Sequence, residues 1–356
     1  MDDAKDLHRI VNGSARQYFW GFKTVPAPQL AEGKRTAVEK PPFIQLKQPI
    51  HQIRVLNWAH RGRMMNAEAY GKFLASQGMA SVRAGEHLWV EKQRLCLESI
   101  PPHKPIRVDP SDSLRLFLRG YLVLRYTCDE LEGVPSKEFV CEDREYSLDS
   151  LDSKARNKVR QGLKNCTVRP LNFAELRRDG CAINQSVFER QGRAGPAFLR
   201  DQTRWEHYLS CCEKTPDVWA YGAFVGPDLC AYTLIVQVDD YAYTYHPFAH
   251  SASLAFRPMN ALIFSVTKQL LQTPGIRRVS YGLESLVAQP ALEEFKAGMG
   301  FQGAPIGRRI QLNPLARPLL SSQVVGLIRR LEGRFKGIPL LENYLAFAEG
   351  HRKFLV

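Results

Sequence analysis

Hydrophobic and polar positions alternate along three consecutive segments in the second half of the chain. Residues 217–225 place aromatic and apolar side chains at every second position, which is the period of a strand with two different faces. Residues 230–238 and 241–246 continue in the same way, and short turn segments separate the three runs. The pattern therefore predicts three antiparallel strands joined by hairpins.

The period changes from two to between three and four after these strands. Apolar residues recur at helical spacing from Pro258 to a stop at Thr273, and proline is favoured at the first position of a helix. A strand over 277–283, a helix over 290–298 and a strand over 307–312 follow. The order β-β-β-α-β-α-β predicts an α+β fold with a mixed sheet, because a helix between two strands gives a parallel crossover.

The first half of the chain shows weaker patterns. Five prolines and scattered charges within residues 1–50 predict an irregular extension. A helix over 67–74, strands over 81–91, 94–98 and 120–127, and a basic helix from Ser153 to Lys164 follow. We predict four segments: an irregular extension at 1–50, one half-domain at 51–165, a second and catalytic one at 166–313, and a basic helical tail at 314–356.

Charge is concentrated in two segments. The chain of 356 residues carries 49 Lys and Arg against 36 Asp and Glu, a net charge of +13. Residues 151–200 hold eleven basic and four acidic residues, residues 305–356 hold nine and three, and the rest is balanced. This distribution favours two basic patches over a uniformly positive nucleic-acid-binding protein.

The first patch lies on the predicted helix from Ser153, which Asp149, Ser150 or Asp152 could cap. Arg156, Arg160 and Lys164 recur every four residues and share one face. Such a face suits the phosphates of a cofactor or an RNA backbone, and it equally suits a solvated helix surface.

The second patch lies on a basic amphipathic helix in the tail. Apolar residues from Val324 to Phe335 follow helical spacing beside Arg329, Arg330 and Arg334. The helix could bind an anionic membrane surface peripherally, but docking on its own domain produces the same pattern and is the expectation.

Composition excludes several classes of protein. With 44% hydrophobic and 24% charged residues the chain is typical of globular proteins. No run approaches the roughly 18 apolar residues needed to span a bilayer, and the N-terminal residues do not resemble a secretory signal, so a cytoplasmic protein is expected. The eight cysteines show no C-x-x-C pair, which predicts buried thiols and no metal site.

Three short motifs follow one another along the chain: the S-K-x-R-x-x-x-R pattern from Ser153, the R-P-M-N-A-L junction from Arg257, and the F-K-x-x-x-G segment from Phe295. Together they resemble the double-domain branch of the GNAT superfamily, namely the Fem-type (FemAB) aminoacyltransferases and the CelD/BioF2-like acyltransferases. Their order and separation cover about residues 60–315. The resemblance implies tandem GNAT-like halves, each with a mostly antiparallel sheet flanked by helices.

The resemblance also implies where an acyl donor binds. The first amides of the helix at Pro258 lack intrahelical partners and form an anion site, which the resemblance assigns to the donor. The residues involved are Arg257, Met259, Asn260 and Ala261. The single-domain fingerprint Q/R-x-x-G-x-G/A is absent at this position, which leaves the donor open between acyl-CoA, an acyl-carrier protein and aminoacyl-tRNA.

Direct attack by the acceptor needs a base and donors for the developing oxyanion, and no covalent nucleophile. Glu284 and His246 are the candidate bases, because each ends a predicted strand. Lys296 occupies the position of the family lysine that the resemblance implies is close to the acyl carbonyl. Arg156, Arg160 and Tyr245 are candidate substrate contacts, although core packing explains Tyr245 and its neighbouring tyrosines at least as well.

The leading hypothesis is an acyltransferase that uses a thioester donor and an amine or hydroxyl of a sugar, amino acid or cell-envelope precursor. An aminoacyl-tRNA-dependent transferase is the close alternative, favoured by the basic face of the helix at Ser153. A third hypothesis is a non-catalytic GNAT-like binding protein of an envelope or polysaccharide pathway.

Overall fold

The computed structural model of the protein describes residues 64–192, 195–286 and 288–334, together with positions 345 and 348. The predicted irregular extension at 1–50 and most of the chain beyond residue 334 lie outside the described residues. No helix in the described ranges is both long enough and apolar enough to cross a membrane.

The described strands form one mixed sheet of eleven strands with the spatial order β1-β2-β3-β4-β11-β5-β10-β9-β8-β7-β6. All neighbours are antiparallel except the pairs β3/β4 and β9/β10, which are parallel. The α+β class with a mixed sheet is therefore confirmed. The strands are β1 (Ser81–Ala84), β2 (His87–Gln93), β3 (Cys96–Ile100), β4 (Val123–Cys128), β5 (Val134–Cys141), β6 (Thr167–Leu171), β7 (Val218–Val225), β8 (Asp228–Val238), β9 (Tyr241–Ala249), β10 (Arg278–Leu283) and β11 (Gln302–Leu312).

Helices cover both faces of this sheet. They are α1 (Ala67–Ser76), α2 (Pro110–Leu118), α3 (Ser153–Asn165), α4 (Phe173–Arg190), α5 (Ala197–Arg200), α6 (Gln202–Glu213), α7 (Pro258–Leu271), α8 (Pro290–Gly298) and α9 (Ser322–Arg334). Short 3₁₀ turns lie between several of these elements, including one over Ser251–Phe256 directly before α7.

The alternation along β8 shows how the sequence builds two cores. Tyr232, Leu234 and Val236 pack into one buried cluster with helices α4 and α6. Ala231 and Ile235 pack into a second cluster with α7 on the opposite face. Strand β8 is buried on both faces, and the period of two sends its side chains alternately to each core.

The predicted order of elements from residue 217 onwards is confirmed, and α8 matches its predicted bounds. Some predictions for the preceding part of the chain are wrong or incomplete. The predicted strand over 81–91 is a hairpin of β1 and β2, because Gly85 takes a φ of 56° in the turn. Strands β5 and β6 and helices α2, α4, α5 and α6 had no predicted counterpart, and β11 begins five residues before its predicted start at 307.

Strand β11 connects the two halves of the chain. It comes from the second half in sequence, and it pairs with β4 on one side and β5 on the other. The predicted boundary after residue 165 falls between α3 and β6, and the sheet is continuous across it.

The basic helix of the tail docks on the sheet. In α9, Val325 is buried in a small cluster with Val123, Ile310 and Leu312, whereas Leu327 is exposed. This agrees with docking through one apolar side of the helix. All eight cysteines are buried and carry free thiols.

Candidate functional site

The parallel strands β9 and β10 separate part-way along their length. Their pairing runs from Arg278 and Tyr241 to Ser280 and Tyr243 and stops there, although β9 continues to Ala249. On its other edge β10 stays paired with β5 as far as Leu283, with a shift in register after Ser280. A gap therefore opens between the carboxyl ends of two parallel strands, which is where ligands commonly bind in sheets of this kind.

His246 lies in an irregularity on the β9 side of the gap. The register between β8 and β9 shifts beside it, and its φ of 51° is left-handed. A bulge of this kind redirects a side chain, and such bulges are common beside active sites. Its Nε2 lies 3.1 Å from the hydroxyl of Tyr208, and burial lowers the pKa of His246 from 6.5 to about 4. His246 is therefore neutral at pH 7.

Tyr245 precedes His246 and is half-buried. Its hydroxyl hydrogen-bonds the hydroxyl of Tyr70 on α1, and its carbonyl accepts a hydrogen bond from the hydroxyl of Thr233 at 3.1 Å. Tyr243 is buried and hydrogen-bonds His103, which also stacks on Tyr241. The tyrosines of β9 thus take part in packing between the sheet and the first half of the chain, while Tyr245 keeps partial exposure.

Lys296 lies on the other side of the gap, in the last turn of α8. It is 3% exposed, and its Nζ sits 4.4 Å from the ring centre of Phe139 and 5.4 Å from that of Tyr281. Within the described part of the chain its ammonium group contacts aromatic rings rather than a carboxylate. Burial lowers the pKa of Lys296 from 10.5 to about 8.

Glu284 follows the end of β10 and is held at three points. Its carboxylate accepts a hydrogen bond from Ser136 at 2.8 Å, its N–H donates to the carbonyl of Lys137 at 2.8 Å, and its carbonyl accepts from Arg308 at 2.7 Å. Its negative charge favours the protonated form of Lys296. The structure thus places Glu284 near enough to Lys296 for the two charges to interact. His246 and Tyr245 lie on β9, on the other side of the gap.

The predicted donor site at the start of α7 is partly covered by α3. Arg257 is exposed in the left-handed conformation, with φ 57° and ψ 40°, and Met259 is half-buried. Asn260 and Ala261 are buried, and a Cβ at Gly162 on α3 would lie 2.5 Å from the carbonyl oxygen of Arg257. Arg257 and Met259 are therefore the predicted donor contacts with side chains open to solvent.

The basic face of α3 is only partly tied to the protein. Asp152, one of the predicted caps, accepts a hydrogen bond from the N–H of Ala155 at 2.7 Å. Arg156 is half-buried, donates to the carbonyl of Leu151 at 3.2 Å and lies 3.6 Å from Asp149. Arg160 and Lys164 are exposed.

Sequence reasoning missed Glu138 on β5. Its carboxylate is 4% exposed and accepts a hydrogen bond of 2.5 Å from the hydroxyl of Ser280, at the position where β9 and β10 separate. Burial raises the pKa of Glu138. Glu138 was missed because no strand was predicted for Val134–Cys141. The signal that could have indicated it is a single glutamate within an otherwise strand-like run.

A cavity of about 750 Å³ lies on the β9 side, beside Tyr208. Residues 77–80 after α1, the end of β2, Phe198 of α5 and the exposed turns of α6 line it. Through Tyr208 the cavity reaches His246. Among the described residues, no group of histidine, cysteine or acidic side chains has the arrangement of a metal site.

Comparison with known proteins gives a likeness in fold. No family model matches the chain, and no curated protein matches it. FemX has a TM-score of 0.48 and 12% identity, over 72% of this chain and 94% of that chain.

Two further solved structures show the same kind of likeness. L-PGS from Bacillus licheniformis has a TM-score of 0.46 and 13% identity, over 79% of this chain and 93% of that chain. A GCN5-related N-acetyltransferase from Kribbella flavida has a TM-score of 0.40 and 11% identity, over 71% of this chain and 97% of that chain. All three likenesses concern the fold alone.

Proposed function

We propose that the protein transfers an acyl group to an amine or hydroxyl acceptor by direct attack, with the reacting carbonyl in the gap between β9 and β10. The observation that carries the proposal is the separation of these strands after Tyr243 and Ser280. Tyr281, the next residue of β10, carries the buried ammonium group of Lys296 over its ring. The separated strand ends thus have a buried positive charge beside them.

Lys296 has the properties needed to stabilise a developing oxyanion. Its low exposure removes water that would otherwise screen the charge, and an electrostatic donor is most effective in such surroundings. The rings of Phe139 and Tyr281 fix its position without neutralising it. A negative charge that forms on the acyl oxygen would give this lysine the partner that its aromatic surroundings do not supply.

His246 is the proposed proton acceptor for the nucleophile, acting through Tyr208. Tyr208 lines the cavity, and its hydroxyl lies 3.1 Å from Nε2 of His246. This hydroxyl can therefore accept the proton of the nucleophile and donate its own to His246. His246 is neutral at pH 7 and can accept that proton. Glu284 is the alternative base on the β10 side, where Ser136 holds its carboxylate.

The proposed donor is a thioester, either acyl-CoA or an acyl-carrier protein, and the proposed acceptor is a sugar, an amino acid or a cell-envelope precursor. The exposed Arg257 and the half-buried Met259 are the proposed donor contacts at the start of α7. Aminoacyl-tRNA is the second candidate donor, because Arg160 and Lys164 present an exposed basic face on α3. Binding of tRNA through this face would weaken steeply with salt.

The experiment measures binding of each donor class, followed by transfer to a panel of amines and alcohols. Acetyl-CoA, longer acyl-CoAs, an acyl-carrier protein and aminoacyl-tRNA are each added to the wild type, to Lys296→Met and to Lys268→Met. Lys268 is an exposed lysine near the end of α7 and serves as the matched control. We expect one donor class to bind, and transfer from it to fall in Lys296→Met alone. Absence of binding by every donor, or equal transfer in both variants, would overturn the proposal.

A further inference from the structure

The cavity beside Tyr208 has a charged mouth and an aromatic inner end. Arg94, Arg204 and His207 are exposed at its opening. Phe198 and the buried Tyr208 close the other end, where their rings lie 4.9 Å apart. A ligand that enters therefore passes cationic side chains before it reaches the hydroxyl next to His246.

The charge balance of the cavity wall is positive. Glu91 is the acidic residue of the lining, and its carboxylate accepts a hydrogen bond of 2.5 Å from the N–H of Leu95. Lys92 also lines the cavity and forms a 2.9 Å ion pair with Glu98. Arg125 also pairs with Glu98, at 2.8 Å, so one carboxylate is shared by two cations behind the wall.

We propose that this cavity binds the acceptor of the transfer reaction, and that the acceptor carries an anionic group, a phosphate or a carboxylate. Arg204 and Arg94 hold the anion at the mouth, and the nucleophilic end reaches toward the hydroxyl of Tyr208. Converging cations recognise an anion more strongly than scattered ones, since charge-assisted hydrogen bonds are the stronger class. That the ligand is the acceptor rests on the proposed function, whereas recognition of an anion does not.

The test uses two pairs of probes that differ only in the anionic group. Glucosamine 6-phosphate is compared with glucosamine, and glutamate with glutamine, by equilibrium binding to the full chain without any donor. The variants are Arg204→Gln and Lys214→Gln. Lys214 is exposed at the opposite end of α6, outside the cavity, and its change removes the same charge. Because Arg204 is exposed, its replacement should leave the melting temperature unchanged.

We expect the anionic member of one pair to bind at least about tenfold more tightly than its neutral partner. The pair that shows the preference identifies phosphate or carboxylate as the group recognised. Arg204→Gln should remove the preference and Lys214→Gln should keep it. Equal binding within both pairs, or equal effects of the two variants, would overturn the inference.

The outcome is separable from that of the proposed function. Donor binding with no preference for anions would leave the transferase proposal standing and remove this inference. A preference for anions that depends on Arg204, without binding of any donor, would do the reverse.

Discussion

The side-chain nitrogen of Lys296 lies 4.4 Å from the centre of the Phe139 ring, so helix α8 places a buried cation against strand β5. Strand β5 also carries Glu138, whose carboxylate accepts a hydrogen bond from Ser280 on β10. Two adjacent residues of β5 thus contact Ser280 and Lys296, one on each face of the sheet.

Replacement of Lys296 should lower the activity and raise the stability of the protein. Burial lowers the pKa of Lys296 to about 8 from 10.5, so below pH 8 the folded protein bears the full cost of a buried charge. Lys296→Met should therefore be more stable than the wild type at pH 7, on the order of 1 to 3 kcal/mol, and should lose transfer roughly a hundredfold.

The pH dependence checks the cause of this gain. As pH rises from about 8 towards 10.5, folded Lys296 loses its proton before the unfolded chain does, and the wild type gains relative stability. The difference in free energy of unfolding between wild type and Lys296→Met should therefore shrink between pH 7 and pH 10. A constant difference would show that the charge is not responsible, and the exposed Lys268→Met provides the baseline.

Removal of one hydroxyl tests the path from the cavity to His246. Tyr208→Phe should lower the rate of transfer by about ten- to a hundredfold, because the group that links the acceptor to Nε2 is lost. Tyr221→Phe is the control, since Tyr221 is buried and its hydroxyl has no hydrogen-bond partner in the described part of the chain. Steady-state rates with a saturating donor measure the effect, and equal rates in the two variants would contradict it.

Two buried histidines should make the protein labile in acid. Burial lowers the pKa of His246 and of His103 from 6.5 to about 4. The stability from their neutral forms is complete above pH 6.5 and is lost as pH falls towards 4, on the order of 1 to 3 kcal/mol for each. Urea unfolding between pH 7 and pH 4.5 measures this loss.

A variant assigns part of that loss to one residue. His246→Asn introduces a residue type that tolerates the left-handed backbone. The free energy of unfolding of this variant should fall less steeply than that of the wild type as pH is lowered. His207→Asn, an exposed change on α6, should keep the slope of the wild type. Identical slopes for the wild type and His246→Asn would argue against a buried neutral imidazole.

The contact between α3 and α7 depends on one glycine. A Cβ at Gly162 would lie 2.5 Å from the carbonyl oxygen of Arg257, and backbone cannot move aside as a side chain tip can. Gly162→Ala should lower the free energy of unfolding by about 1 to 3 kcal/mol. Gly326→Ala on α9 has open space around its Cβ and should be neutral or stabilising by up to about 1 kcal/mol. Chemical denaturation compares the two, and equal effects would refute the close approach.

The second half of the fold was predictable because its elements have clear periods. The three hairpin strands and α7 bury whole faces, so the spacing of apolar residues follows the core directly. Helices α4 and α6 were missed, since polar residues interrupt their apolar faces and no motif indicated them. Strand β5 was missed because it carries Lys137 and Glu138 in the middle of a central strand.

The candidate site was predictable only in part. Glu284 follows from its position directly after a predicted strand, and Lys296 follows from the resemblance of its motif. The prediction that His246 ends its strand is wrong, because β9 continues to Ala249 and His246 lies in a bulge within it. The roles of Glu138 and Tyr208 depend on contacts with Ser280 and His246, which are distant in sequence. A period along the chain reports which face a residue occupies, and it carries no information about partners from other elements.

The sequence by itself determined the α+β class, the order of elements from residue 217 onwards and the two basic segments, because local spacing and composition decide these properties. Only the tertiary structure decided that β11 inserts between β4 and β5, that β9 and β10 separate after Ser280, and that Tyr208 of the basic cavity contacts His246. Register between strands and burial of charge depend on long-range packing, where many weak contacts act together, and no single segment encodes them.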